Sequence, residues 1–137
     1  MNRFFFKIVL FIFGCLPALA VEWSVTGEMV IPSYGAQAVT LASKIYILGG
    51  YSKDSNQPHP YIQEFDPYTN VCRVVDSLTV PRAYFVAQTT GDSVLIVAGE
   101  GDTNETAANV ESWKPGFGSR VLFHHPHLNR LKATGGV

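Results

Sequence analysis

The sequence predicts an all-β chain assembled from repeated four-stranded antiparallel units, and three observations carry that expectation. Segments recur at a spacing of 49 residues: Met29-Val30-Ile31-Pro32 returns as Leu78-Thr79-Val80-Pro81, and Ile45-Tyr46-Ile47-Leu48-Gly49-Gly50 returns as Val94-Leu95-Ile96-Val97-Ala98-Gly99. Apolar runs are short, alternate with polar residues and are bounded by turn formers, which is the period-2 pattern of half-buried strands. Each central apolar run ends in a small-residue pair and is followed by an aromatic, Phe65-Asp66-Pro67 in one copy and Trp113-Lys114-Pro115 in the next.

In chain order, the first repeat places strands over residues 36–41, 44–48, 61–65 and 71–75. The second places them over residues 84–89, 93–98, 109–113 and 120–123. Ala42-Ser43 and Gly91-Asp92 are two-residue hairpin connections. Residues 66–70, Asp-Pro-Tyr-Thr-Asn, form a turn in which proline fixes one backbone angle and asparagine tolerates a left-handed one. Gly49 and Gly50 are expected at positive φ, where the chain leaves the sheet and backbones approach closely.

These features resemble the kelch repeat, whose period is about 50 residues per propeller blade. The resemblance rests on Gly49-Gly50, on Phe65 in the third strand and on the Asp-Pro-x-Thr-Asn run, and in the second copy on Ala98, Gly99 and Trp113. It spans Trp23 to Phe123. The position for the family's fourth-strand tryptophan holds Cys72 and then Arg120, both departures, whereas Trp23 fills it one repeat earlier. The expected fold is therefore all-β, kelch-type β-propeller blades of four antiparallel strands in an incomplete ring. Tyr46, Phe65, Trp113 and Trp23 are expected to pack between blades, and Cys72 to be a small filler rather than a nucleophile.

Residues 1–20 have the order of a secretory signal: basic Arg3 and Lys7, an apolar stretch, then small residues ending at Ala20. The apolar stretch is shorter than the ~18–20 residues of a spanning helix, so cleavage after Ala20 and a secreted or periplasmic product are expected, with no membrane span thereafter. Ile12-Phe13-Gly14-Cys15 is the competing lipoprotein-like box. Cleavage leaves eight basic against eleven acidic side chains, a net charge of −3 that argues against a nucleic-acid partner, and Cys72 as the lone cysteine. The organisation expected is a signal over 1–20, the outer strand of an incomplete blade over 21–35, full blades over 36–76 and 77–125, and the start of a truncated blade over 126–137. Two blades cannot close a ring, so missing blades or self-association are expected.

In an antiparallel blade the connections alternate between faces, and the long ones (51–60, 76–82 and 100–108) share one face. Loops on a rigid scaffold carry function, so binding candidates are Tyr51, His59, Arg82, Glu100 and Asp102, with Lys53, Asp54 and Glu105 beside them. Arg82 stands out because it follows Pro81 at a blade entrance, where the resemblance places an arginine near the central channel. Asn104-Glu105-Thr106 is an N-glycosylation sequon. Glu100-Gly101-Asp102 reads as a solvated turn and His124-His125-Pro126-His127 as a blade connection, so no metal site and no cofactor are expected.

No catalytic constellation is visible, and the chain is expected to be a binding scaffold for a protein or glycan. The resemblance also implies an alternative, a piece of a secreted carbohydrate-active enzyme. That would be either a copper radical oxidase of the galactose oxidase type, for which no ligand set maps, or a sialic acid mutarotase, for which Arg82 is the one channel candidate.

Overall fold

A computed structural model describes residues 22–101 and 108–124. The expected signal, the sequon with Asp102 and Glu105, the residues His125 and His127, and the start of a third blade lie outside the described residues. The described chain is β throughout: β1 Ser33–Tyr34, β2 Gln37–Leu41, β3 Lys44–Leu48, β4 Tyr51–Ser52, β5 Tyr61–Asp66, β6 Val71–Ser77, β7 Val86–Thr90, β8 Ser93–Val97, β9 Asn109–Lys114 and β10 Gly118–His124. Among the described residues no helix is long and apolar enough to cross a membrane.

Two four-stranded antiparallel sheets, in the orders β2-β3-β5-β6 and β7-β8-β9-β10, lie side by side, and a two-stranded ribbon pairs β1 with β4. Tight turns dictate the hairpins. Ala42 and Ser43 both take positive φ, 50° and 62°, the twist that a two-residue hairpin needs, and Asn70 takes the left-handed turn position at 56°. Gly49 and Gly50 have φ of 52° and 103°, and Gly99 has 111°, as the close approach of backbones at the strand exit requires.

The core lies between the sheets. Alternation turns Val39, Tyr46, Leu48 and Ile62 of the first sheet and Val94, Ile96 and Trp113 of the second into one core, which Phe85 joins from the link before β7. Each such side chain contributes about 1.5–3 kcal/mol when taken from water. Tyr46 and Trp113 meet edge to face at 4.9 Å, and the Trp113 indole N–H donates to Asp76 Oδ2 at 2.8 Å, so an aromatic of the second blade is tied to the last strand of the first.

Trp23 corrects one expectation. It is 92% exposed, and residues 22–32 form no strand. Backbone N–H and C=O groups enter a strand only beside a partner that satisfies them, and none of the described strands pairs with this segment. The segment nonetheless touches β5 of the first blade. A Cβ at Gly27 would lie 2.8 Å from Phe65 Cε2, and the Gln63 amide receives the Ile31 N–H at 2.8 Å and donates to the Ile31 carbonyl at 2.9 Å. Cys72 is half-buried beside Gln63.

Candidate binding cleft

The β1–β4 ribbon, the 52–60 loop and the link between blades meet on one face. Cross-strand pairing sets Tyr34 opposite Tyr51 in the ribbon, and their rings stack at 5.3 Å with 15° between planes. Tyr84, from the inter-blade link, lies 6.0 Å from Tyr51 at 51°. With Asn56, Gln57, Pro58 and Glu100 these rings line an open cleft of about 400 Å³. Its polar groups are already ordered. The Tyr34 hydroxyl donates to Asn56 Oδ1, and the Tyr51 hydroxyl donates to Glu100 Oε2 at 3.3 Å. Burial and the neighbouring Glu100 carboxylate push the Tyr51 phenol above its ordinary value, so it remains a donor.

Tyr84 has φ of 51°, a left-handed conformation that is an outlier for a bulky side chain. Its N–H donates to the Gly35 carbonyl at 2.8 Å, and a Cβ on Gly35 would lie 3.0 Å from the Tyr84 ring. Glycine at 35 is thus what lets the ring settle over the first blade and face the cleft.

Of the residues singled out in the sequence, Tyr51 and Glu100 come together here. Lys53 and Asp54 sit exposed in the adjoining turn, where their backbone N–H groups donate to the Pro32 carbonyl and the Ser52 hydroxyl. Arg82 is a correction: it is fully buried and points into the second blade. Its guanidinium donates to Glu111 Oε2 at 2.8 Å, to the Ala98 carbonyl at 2.9 Å and to Asn109 Oδ1. Burial lowers its pKa, while the facing Glu111 carboxylate opposes that shift. Glu111 in turn receives the Thr79 N–H and the Ser119 hydroxyl, so the pair clamps the blade entrance. The counterparts one repeat earlier are neutral, Ser33 for Arg82 and Gln63 for Glu111, and Gln63 clamps Ile31 in the same way.

His59 is also buried rather than displayed. The Ser33 hydroxyl donates to the Ile31 carbonyl at 2.9 Å, so the 2.7 Å contact between Ser33 Oγ and His59 Nε2 needs the proton on Nε2. That leaves Nδ1 as a bare acceptor, buried without a hydrogen-bond partner among the described residues. Burial lowers the His59 pKa and keeps the ring neutral. His124 ends β10 on the exposed surface, and among the described residues no three metal-ligating side chains converge. Tyr34, Tyr84, Asn56 and Gln57 were not anticipated as cleft residues. The signal that could have found Tyr84 is the repeat itself, because position 35 and position 84 are 49 residues apart and hold glycine and tyrosine.

The two sheets are kelch-type β-propeller blades. Residues 32–79 match the kelch motif family, a span covering the whole first blade. The solved structure of YjhT, a kelch propeller, superposes with a TM-score of 0.66 over 74% of this chain at 14% identity. The chain spans about two fifths of that structure, 40% of its length. No curated protein sequence matches the chain.

Proposed function

We propose that this chain supplies the ligand-binding face of an exported kelch-type propeller, and that the Tyr34–Tyr51–Tyr84 cleft holds a glycan. The observation that carries the proposal is Tyr84, an aromatic held at a left-handed backbone position. Such strain costs of order 1–3 kcal/mol and concentrates at functional positions. A pyranose ring has an apolar C–H face and a rim of hydroxyls. Tyrosine offers a flat apolar body with a polar tip, and the Asn56 and Gln57 amides stand beside the rings to meet hydroxyls. The cleft's volume lies in the range of small-ligand sites, about 300–1,000 Å³. Export is supported by the signal-like order of residues 1–20.

Calorimetric titration of the full chain with a panel of oligosaccharides tests this. Binding should appear for at least one class and be lost in Tyr51→Ala. Binding that survives loss of the cleft tyrosines, or no binding to any saccharide, would refute it.

A further inference from the structure

We propose that the second blade carries an anion site, lined by Ser93, Ser112, Lys114 and Arg120, that takes a small hydroxylated carboxylic acid, with Arg120 as the residue that binds its carboxylate. The site is separate from the tyrosine cleft and does not rest on the glycan reading. The strand ladders carry the inference, because they set these four residues at the places that Lys44, Glu64, Asp66 and Arg73 hold in the first blade. There the four form a balanced cluster. Glu64 Oε1 receives Arg73 Nε at 3.1 Å and Arg73 Nη2 at 2.7 Å, and Lys44 Nζ donates to Glu64 Oε1 at 3.1 Å and to Asp66 Oδ2 at 3.0 Å. In the second blade serine replaces Glu64 and lysine replaces Asp66, so the arginine is kept and both carboxylates of the cluster are gone.

What remains is a cavity of about 330 Å³ whose described lining holds no acidic side chain, a volume suited to a small ligand. Lys114 is already neutralised: its ammonium reaches Asp92 Oδ2 at 2.5 Å and lies 4.7 Å from the Phe117 ring centroid. The Ser93 hydroxyl donates to Asp92 Oδ1 at 3.0 Å. Arg120 is the uncompensated charge, since among the described residues no hydrogen bond or ion pair engages its guanidinium. The Ser112 side chain, opposite Arg120 in the ladder, is equally unengaged among the described residues. An arginine fork matches the two oxygens of a carboxylate, and Arg73 makes such a pairing at the same place one blade earlier. The serine oxygens can meet hydroxyls on the ligand. A neighbour on this face does not close the site. Arg73 shares a hollow with Trp113 and Pro115 of the second blade, and 64% of its side chain stays exposed.

The test titrates glucuronate and glucose, which share a ring and differ in the carboxylate, into the full chain and follows backbone amide shifts. Glucuronate should bind about tenfold or more tighter than glucose, the discrimination expected of hydrogen bonds to a charged group. The shifts should centre on residues 112–120, and the ratio should shrink with added salt. Arg120→Gln should bring the ratio close to one. Ser112→Glu should do the same with the fold intact, because it restores to the second blade the carboxylate that engages Arg73 in the first. Tyr51→Ala should leave the ratio unchanged, so failure of this site and failure of the cleft reading are told apart. Equal binding of the two sugars, or glucuronate binding that survives Ser112→Glu, would overturn the proposal. Loss of glucuronate binding in Tyr51→Ala would move the acid to the cleft and overturn it as well. Self-association that Arg120→Gln abolishes would place the carboxylate on a second copy of the chain, and the small-acid reading would fall.

Discussion

Tyr84 occupies in the second repeat the left-handed backbone position that Gly35 holds in the first, and its ring rests on that same glycine. The two φ angles are 51° and 64°. The repeat therefore contains its own control: the backbone asks for glycine here, and one copy has it. The tyrosine is retained against a local conformational preference of roughly 1–2 kcal/mol.

Tyr84→Gly should accordingly leave stability within about 1 kcal/mol of the parent, since relief of strain and the extra entropy of an unfolded glycine oppose one another. Saccharide binding should weaken strongly in the same variant. Denaturant unfolding read beside calorimetric titration separates the two. A large loss of stability would mean that the ring serves packing rather than binding.

Gly50 offers a sharper steric test. Its φ is 103°, and an added Cβ would lie 2.9 Å from both Ala36 Cβ and the Tyr34 carbonyl oxygen. Gly50→Val should cost at least the ~1–3 kcal/mol of a strained backbone, and more as the β1–β4 ribbon shifts. Gly91→Ala is the comparison, because nothing lies within 4 Å of its Cβ. Thermal unfolding should rank Gly50→Val well below Gly91→Ala, and equal effects would contradict the close approach.

The strands are legible in the sequence because alternation, two-residue turns and glycine exits act locally, so β3 and β8 fall where the apolar runs of both repeats place them. The cleft is legible in part. Tyr51 and Glu100 follow from reasoning about which loops share a face. Arg82 and His59 read as surface residues because their partners are distant in sequence. Glu111 is 29 residues from Arg82, and Ser33 is 26 from His59. A polar residue near a loop announces its charge but not the partner that lets it be buried. The β1–β4 ribbon leaves no trace in the pattern because two-residue strands show no period. The strand expected at Tyr84 begins instead at Val86, since a positive φ cannot continue a strand.

The buried Arg82–Glu111 pair predicts a non-additive double-mutant cycle. Both side chains are fully buried. Arg82→Met alone strands the Glu111 carboxylate and should cost about 3–5 kcal/mol. Adding Glu111→Gln gives the second blade a neutral clamp like Gln63 in the first, and should recover part of that loss. Urea unfolding of the four species checks it. Additive effects would show that the two groups do not support each other.

The last prediction concerns pH. His59 is buried and neutral, with Nε2–H donated to Ser33 and Nδ1 bare, and its folded pKa is lowered by burial. In the unfolded chain an ordinary histidine titrates near ~6.5. Above that value both states are neutral at this position, and the residue gives stability no pH dependence. As pH falls below it, the unfolded chain takes up a proton that the folded chain resists, so the unfolded state binds more protons and stability must fall. The decline continues until the pH reaches the lowered folded pKa. Glu64 and Asp66 also have lowered pKa values, and the stability they confer is lost only at more acidic pH, so the two ranges separate. For Glu64, burial pushes the carboxyl up, but hydrogen bonds from Arg73, Tyr46 and Lys44 outweigh it. Denaturant midpoints measured from pH 8 to pH 5 should therefore slope downward below about 6.5, and His59→Gln, which keeps an N–H donor for Ser33 but does not titrate, should flatten that slope. A slope that persists in the variant would assign it to another group.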